Sequence, residues 1–461
     1  MTLGIHASFE DTIAAVATAP GEGAISIVRI SGRAAIGIAD EMFRCPAPRP
    51  SDGPDRSLML GHIVDARGER IDQALLLVMR APRSYTGEDI VELQFHGGAV
   101  LARMVLRRAI ECGCRPAEPG EFTRRAFLSG KIDLAQAEAV MDLVRSTSER
   151  AVLAAVEQLD GSVSRAVGAL YDEALSVVAD IEALLDFPEE DLPADSIELN
   201  QKRIRSIAVR CDRLVSQWRD SGAIRDGAVV PIVGKTNSGK SSIFNALVGR
   251  DRSIVSQYHG TTRDTIEDMI QMDGLYVRLI DTAGLRDSDC EIEAEGVRRS
   301  MKAMETATLV LHVVDASRPM DESDLRIFAR SAGKSWIVVL NKRDLPHVTD
   351  SSSFPGVECV STAAICDGGV DDLRTAISTR LTKMVAGDHV AVASERHRLA
   401  METSLAYLRK AADLLDVSRE HGLDTASSCL RFALHSMGII TGRSFDTELL
   451  DSIFSRFCIG K

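Results

Sequence analysis

The segment Gly234-Lys235-Thr236-Asn237-Ser238-Gly239-Lys240-Ser241 constrains the fold more than any other part of the chain. It fits G-x-x-x-x-G-K-[ST], follows the apolar run Ala228–Val233 and precedes a segment of helical pattern. That is the context a phosphate-binding loop requires. The glycines let the backbone wrap phosphate groups, so that N–H donors and a helix N-terminus face the negative charge. Lys240 is placed to reach the outer phosphates and Ser241 to hold Mg2+.

Three further loops follow apolar runs in order. Asp281-Thr282-Ala283-Gly284 follows Tyr276–Ile280; its Asp suits a Mg2+-bound water and its Gly N–H a γ-phosphate. Asn341-Lys342-Arg343-Asp344 follows Trp336–Leu340, and Ser361-Thr362-Ala363 follows Val357–Val360. The Asp344 carboxylate can accept both N–H groups on one edge of guanine, a donor pair that adenine lacks. Ser361–Ala363 fits the loop that meets the guanine carbonyl. Four motifs in order make this a guanine-nucleotide domain with GTP as substrate; a polar loop explains any one of them but not the set. Gly260-Thr261-Thr262-Arg263-Asp264 lies between the first helix and the next strand, and Thr262 suits a Mg2+ ligand that senses the γ-phosphate. Many GTPases place a Gln directly after D-x-x-G to orient the attacking water. Here Leu285 stands there and cannot do so.

The rest of the chain frames this domain. Its 461 residues suggest about three domains. Up to about 118 the texture is mixed α/β, with strands expected at Ala24–Ile30, Leu58–Val64, Ala74–Met79 and Ile90–Leu93 and a helix ending near Glu111. Lys131–Leu185 has apolar residues at helical spacing, interrupted only at Asp160–Gly161 and by a lone Gly168, and Asp186-Phe187-Pro188 ends it. A helix is expected from about Glu198 to Trp218. From Ala228, strands alternate with helices, which implies a parallel sheet covered on both faces. Helical texture returns after Leu381, so an α/β domain is inserted within a helical one.

Net charge is −13, with 54 Lys+Arg against 67 Asp+Glu. This argues against bulk electrostatic coating of nucleic acid, though not against RNA at a local patch. Ten carboxylates and no Lys or Arg lie between Asp172 and Asn200, which reads as a solvated helix end and loop. The nine cysteines are scattered, with no C-x-x-C, as expected of a reducing compartment. The start, MTLGIHASFEDTI, has no leader pattern, and the six-residue run Ala74–Met79 is too short to span a bilayer. The expectation is a soluble, cytoplasmic protein with no membrane partner.

Taken together, the residues resemble the MnmE (TrmE) family of tRNA-modification GTPases over essentially the whole chain. The resemblance rests on Ala15–Gly32 (AVATAPGEGAISIVRISG), Tyr85–Gly98 (YTGEDIVELQFHGG), Pro119–Ala139 (PGEFTRRAFLSGKIDLAQAEA), Asp186–Asp191 (DFPEED), the GTPase motifs and the terminal Phe457–Lys461 (FCIGK). It implies a multidomain α/β plus all-α fold: an N-terminal α/β folate-binding and dimerisation domain (1–118), a discontinuous helical domain (119–222 and 382–461) and an inserted P-loop Ras-like GTPase domain (223–381). It implies a homodimer working with a flavoprotein partner, MnmG (GidA), which alone carries FAD. Together such proteins convert the C5 position of the wobble uridine of certain tRNAs to aminomethyl or carboxymethylaminomethyl groups. The carbon comes from a reduced folate, formyl- or methylene-tetrahydrofolate, and GTP hydrolysis is required.

The resemblance also implies residue roles. Folate contacts fall on Arg29, Glu92, Lys131 and Lys461; a pterin edge suits Glu92, and a glutamate tail suits Arg or Lys. Without the resemblance each is an ordinary surface charge. K+ is held beside the γ-phosphate by Asn237, Ser256, Tyr258 and Thr261, where a fixed positive charge offsets transition-state charge; Asn237 merely bracing the loop is the alternative. GTP contacts span Asn237, Ser238, Gly239, Lys240, Ser241 and Ser242, then Ser256, Gln257, Tyr258, His259, Gly260, Thr261 and Thr262. The water-orienting Glu falls on Glu293, with Glu291 and Glu295 as alternatives. Cys458, in FCIGK, is either a site residue or an ordinary small hydrophobe. Thr236, Phe95 and Arg443 depart from the family pattern: Thr236 is expected to be tolerated, Phe95 to reshape a wall of the folate pocket, and Arg443 replaces a Glu. A local basic surface around Arg103, Arg107 and Arg108 is a candidate tRNA grip. A switch GTPase with no part in modification is the other reading. Ribosome-assembly GTPases share the four motifs, and the N-terminal sequence and FCIGK tail separate the two.

Overall fold

The computed structural model describes residues 11–46, 48–146, 148–186, 196–225, 227–250, 266–281, 307–321, 324, 327, 335–385, 394–417 and 422–461. They form two compact units. One comprises Met1–Met141, Ser164–Asp172 and Leu434–Lys461, the other Asp142–Val163 and Glu173–Ala433.

The first unit is built on a seven-stranded sheet ordered β3-β4-β5-β6-β2-β1-β7. The strands are β1 (Ile13–Val16), β2 (Ile25–Ser31), β3 (Phe43–Arg44), β4 (Leu58–Val64), β5 (Arg70–Met79), β6 (Ile90–His96) and β7 (Arg115–Pro116). Alternation decides its faces. Ala74, Leu76 and Val78 of β5 and Val91, Leu93 and Phe95 of β6 are buried in a core shared with helices α1 (Ala35–Met42) and α2 (Ala99–Glu111). The intervening residues share the other face, where Leu77, Glu92 and Arg29 lie side by side in register. Phe95 is therefore a core residue, 3% exposed, on the face opposite Glu92. This corrects the expectation that it reshapes the folate-pocket wall: a residue three along a strand points the other way.

Helices α3 (Glu121–Leu128) and α4 (Leu134–Arg145) supply Phe127, Leu134 and Ala137 to a second core, filled by Leu450, Ile453, Phe454 and Phe457 from the C-terminal segment. The tail comes to rest against β1: a Cβ on Gly460, at φ +99°, would sit 2.3 Å from the Val16 carbonyl oxygen. Only glycine allows that approach.

The second unit holds a six-stranded sheet ordered β13-β12-β11-β8-β10-β9, made of β8 (Ala228–Gly234), β9 (Ile266–Met272), β10 (Leu275–Asp281), β11 (Val310–Asp315), β12 (Trp336–Asn341) and β13 (Glu358–Ser361). The central strands are parallel and mostly apolar, as strands covered on both faces are, with His312 on β11 a buried exception. The sheet is mixed rather than purely parallel, because β9 pairs with β10 antiparallel. The turn is Asp273-Gly274, with φ +46° and +77°, the left-handed pair a tight hairpin needs. Helices α8 (Lys240–Arg250) and α9 (Asp371–Val385) bury Ile243, Leu247, Leu373 and Ile377 against it.

Before and after this sheet in the chain run α7 (Ser196–Arg225) and α10 (Glu395–Val417), which pack on each other. Ile204, Ile207, Cys211 and Val215 on one, and Met401, Leu405, Leu408 and Ala412 on the other, are buried at three- and four-residue spacing. The expected helix from Glu198 to Trp218 is thus longer. The helical stretch before it is α4, α5 (Glu149–Leu159) and α6 (Ser162–Asp186). Gly168 does not interrupt α6, whereas an unforeseen break before α5 is capped by Ser148, whose hydroxyl accepts from Ala151 N at 3.1 Å. The acidic run is more than a solvated face, since Asp172 meets Arg443, Glu173 meets Arg210, Asp180 meets Arg203 and Glu182 meets Arg431. Helix α11 (Gly422–Thr441) and α12 (Thr447–Phe454) complete the chain. Among the described residues no helix is long and apolar enough to cross a membrane.

Candidate functional site

Strand β8 delivers Gly234 to the phosphate loop at φ +149°, where a Cβ would meet the Val313 carbonyl oxygen at 2.3 Å. Asn237 at φ +62° and Gly239 at φ +99° curl the loop before α8 begins at Lys240. Such left-handed residues turn successive N–H groups inward, which makes an anion cradle. Lys240 is 6% exposed, and its Nζ donates to the Lys235 carbonyl oxygen at 2.5 Å. Burial pushes the Lys240 pKa down, while the neighbouring Asp281 carboxylate pulls it back up. Lys235 is itself clamped at 2.5 Å by Asp321 and Asp324.

The Asn341–Asp344 loop is tied to this cradle. Asn341 donates to the Ser238 carbonyl at 3.0 Å and accepts from the Thr362 hydroxyl at 3.1 Å. Arg343 N donates to the Thr362 carbonyl at 2.9 Å. Lys342 adopts φ +68°, and its Nζ lies 2.5 Å from Asp315 Oδ2 at the end of β11. Burial pushes the Asp315 carboxyl up, but hydrogen bonds from Lys342 and Ser317 outweigh it and leave the group below its ordinary range. Asp344, Ser361, Ser241 and Ser242 are exposed. A serine hydroxyl on the first turn of α8 and a carboxylate closing β10 are hard oxygen donors, the chemistry Mg2+ takes. Ser256, Gln257, Tyr258, His259, Gly260, Thr261, Thr262, Thr282, Ala283, Gly284 and Glu293 lie outside the described residues.

The first unit carries its own cluster. Arg29 and Glu92 are cross-strand partners, with Nε 2.8 Å from Oε1. The Arg29 Nη1 also points to the Gly460 carbonyl at 3.5 Å, and its guanidinium lies 5.9 Å from the Tyr85 ring centre and 5.7 Å from that of Phe122. Lys461 is half-buried; burial and then Arg29 push its pKa down, and Cys458 opposes them. Cys458 is exposed, in the same tail. Lys131 lines an open cleft of about 510 Å³ with Arg56, Leu77, Met79, Arg83, Ser84 and Tyr85. Leu77 is the cross-strand neighbour of Glu92. Arg29, Glu92 and Lys461 are thus brought together and Lys131 lies along the same sheet face. Tyr85, Arg56 and Arg83 escaped the sequence reading; Tyr85 stands in the quoted YTGEDIVELQ stretch, while nothing local marks the two arginines. Of the two other departures, Thr236 is an exposed loop residue, and Arg443 stacks 4.5 Å over Tyr171 and bonds Asp172 at 2.7 Å.

The sheet, its Gly234–Ser241 loop and the Asn341–Asp344 loop bonded to it define a P-loop GTPase. Family models agree over two adjoining spans: "GTP-binding protein TrmE N-terminus" at residues 12–131 and "MnmE helical domain" at residues 134–458. A protein named tRNA modification GTPase MnmE from Moorella thermoacetica is 42% identical over 98% of this chain and 100% of its own. Proteins of the same name from Geobacillus thermodenitrificans and Geobacter sulfurreducens are 39% and 41% identical, each over 98% of this chain and 99% of its own. The chain belongs to the MnmE (TrmE) family, and it is a GTP hydrolase that binds GTP with Mg2+.

Proposed function

We propose that this chain is a K+-activated GTPase whose hydrolysis cycle drives folate-dependent C5 modification of the wobble uridine in tRNA. It acts as a homodimer in the cytoplasm with a flavoprotein partner of the MnmG (GidA) type. The single observation that carries this reading is that one chain of this family holds both a guanine-nucleotide cradle and the separate Arg29–Glu92–Lys461 cluster.

Each residue then has a task. Backbone N–H groups of the loop from Asn237 to Ser241 bind the phosphates, and Lys240 exchanges the Lys235 carbonyl for the outer phosphate oxygens. Ser241 and Thr262 hold Mg2+, which draws charge off the leaving phosphate when bound. Asn237, Ser256, Tyr258 and Thr261 would hold K+, whose fixed charge would offset charge developing beside the γ-phosphate. Glu293 orients the water that Leu285 cannot. Asp344 reads guanine while Asn341 and Lys342 brace its loop. Glu92 takes the pterin edge of a reduced folate, Arg29 and Lys461 stand beside it, and Lys131 takes its glutamate. The domain division that fits these tasks is 1–118 for folate and dimer contact, 119–222 with 382–461 as the helical frame, and 223–381 for GTP. Arg103 and Arg107 project to solvent from α2 and suit RNA phosphates; Arg108 is occupied by Glu111 at 3.6 Å and the Val64 carbonyl at 3.2 Å.

The test is nucleoside analysis of tRNA from a strain lacking the gene, complemented by the wild-type gene or by Glu293→Ala. Loss of the modified wobble uridine on deletion, restored by the first gene only, is expected. Unchanged wobble uridines on deletion would refute the proposal.

A further inference from the structure

The cleft beside Glu92 has a two-part chemistry. Its floor is apolar, formed by Leu77 and Met79, with Tyr85 as an aromatic wall. Its rim is cationic, formed by Arg56, Arg83 and Lys131. All three cations are exposed, and the Arg83 side chain is 72% exposed at the mouth. Asp55 Oδ2 meets Arg83 at 2.9 Å. The rim is nevertheless held in place. Arg80 Nη2 donates to the Ser51 and Gly53 carbonyls at 2.7 and 3.0 Å, Arg80 N donates to Asp55 at 2.7 Å, and Arg56 Nη2 donates to the Arg83 carbonyl at 3.2 Å. The segments 51–56 and 80–84 therefore form one edge, braced by Arg80, that presents the Arg56 and Arg83 guanidinium groups.

We infer that this rim binds the poly-γ-glutamyl tail of the folate, so that the site selects reduced folates with several linked glutamates over the monoglutamate. The inference rests on the folate reading above. Register supplies the direction. The Glu92–Arg29 pair lies one strand from Leu77, so a ring system held there lays its aromatic linker over Leu77 and Met79. The first glutamate then reaches Lys131, and each further γ-linked residue adds one carboxylate beside Arg56 and Arg83 at the open end. A single glutamate is answered by Lys131 and stops short of the arginines, whereas a chain running outward meets the exposed guanidinium groups in turn. Arginine suits this, as its planar fork takes carboxylates in bidentate fashion. Exposed pairs of this kind are weak and salt-sensitive, so each added glutamate is expected to tighten binding about two- to fivefold at low salt.

The experiment titrates 5-formyltetrahydrofolate carrying one, three or five γ-linked glutamates into the full chain, with binding read by calorimetry. Wild type, Arg56→Gln/Arg83→Gln and Arg56→Lys/Arg83→Lys are compared at low and high salt, with matched melting curves confirming the fold. Expected is a stepwise gain from one to five glutamates in wild type. That gain is lost in the glutamine pair, largely kept in the lysine pair and reduced by salt, while monoglutamate affinity stays within about twofold throughout. Equal affinity for one and five glutamates in wild type would overturn the inference and leave the folate site standing. So would a full gain in the glutamine pair, including the case in which that variant loses tRNA binding instead. Failure of every folate to bind wild type would remove the underlying reading and this inference with it.

Discussion

Asn341 donates its side-chain N–H to the Ser238 carbonyl at 3.0 Å, joining the loop that follows β12 to the Gly234–Ser241 loop. Its other amide atom accepts from Thr362, so one buried side chain, 3% exposed, positions three loops. Asn341→Ala leaves a carbonyl and a hydroxyl without that partner, a loss of about 1–3 kcal/mol. Nucleotide affinity is expected to fall roughly five- to hundredfold, measured by titration with a fluorescent GDP, with melting temperature changed far less.

Arg125 is 1% exposed and meets the carboxylates of Asp11, Glu88 and Glu121. Removing that buried cation takes one partner from each carboxylate, although Asp11 and Glu121 keep Arg115, at a cost of about 1–3 kcal/mol. Arg125→Ala should unfold the first unit at a clearly lower temperature. Glu121 supplies the pH side of the same network. Burial pushes its carboxyl up, yet hydrogen bonds from Arg115, the Glu118 N–H and Arg125 prevail and hold it below its ordinary 4.5. A carboxyl depressed on folding stabilises above its unfolded pKa and loses that contribution as pH falls through the folded one. The stability gap between wild type and Glu121→Gln is therefore expected to be full above about pH 4.5 and to close below it; a gap constant from pH 7 to pH 3 would contradict the assignment.

His312 on β11 is fully buried, and neither ring nitrogen has a hydrogen-bond partner among the described residues. Trp336 and Phe354 meet it edge-on at 5.9 and 6.3 Å. Burial pushes its pKa down to about 4 from 6.5, with Asp324 pulling up and Lys235 down. A base depressed on folding costs stability as pH drops from 6.5 to 4, because the unfolded chain takes the proton first. His312→Leu should equal or exceed wild type in stability at neutral pH, since an apolar side chain leaves no polar atom buried without a partner. Its advantage should widen between pH 6.5 and pH 4, as followed by thermal melts.

For hydrolysis, Glu293→Ala is expected to lower GTP turnover about 10²- to 10³-fold, the size of a lost transition-state contact, with nucleotide affinity unchanged. Replacing K+ by Na+ should also sharply reduce the wild-type rate. Equal rates in the two salts would remove the K+ site. Phosphate-release assays on the full chain read both.

What the sequence determined by itself is what depends on short spacing. A cradle of backbone N–H groups needs glycines and a lysine within eight residues, so Gly234–Ser241 declared both the phosphate site and the α/β domain round it. The long helices were equally legible, because burial along α7 and α10 repeats every three to four residues. Tertiary structure decided everything that depends on which distant segments meet. The β9–β10 hairpin turned a parallel sheet into a mixed one through two left-handed residues. Pairing along the strands put Glu92 beside Arg29, 63 residues away, and left Phe95 in the core. Packing of the C-terminal segment brought Gly460 to Arg29 across 431 residues. Arg56 and Arg83 carry no local signature at all, since a cationic rim exists only once two loops are bonded to each other. Backbone chemistry is local and can be read along the chain, whereas a binding cleft is made by side chains that only the folded sheet brings to one face.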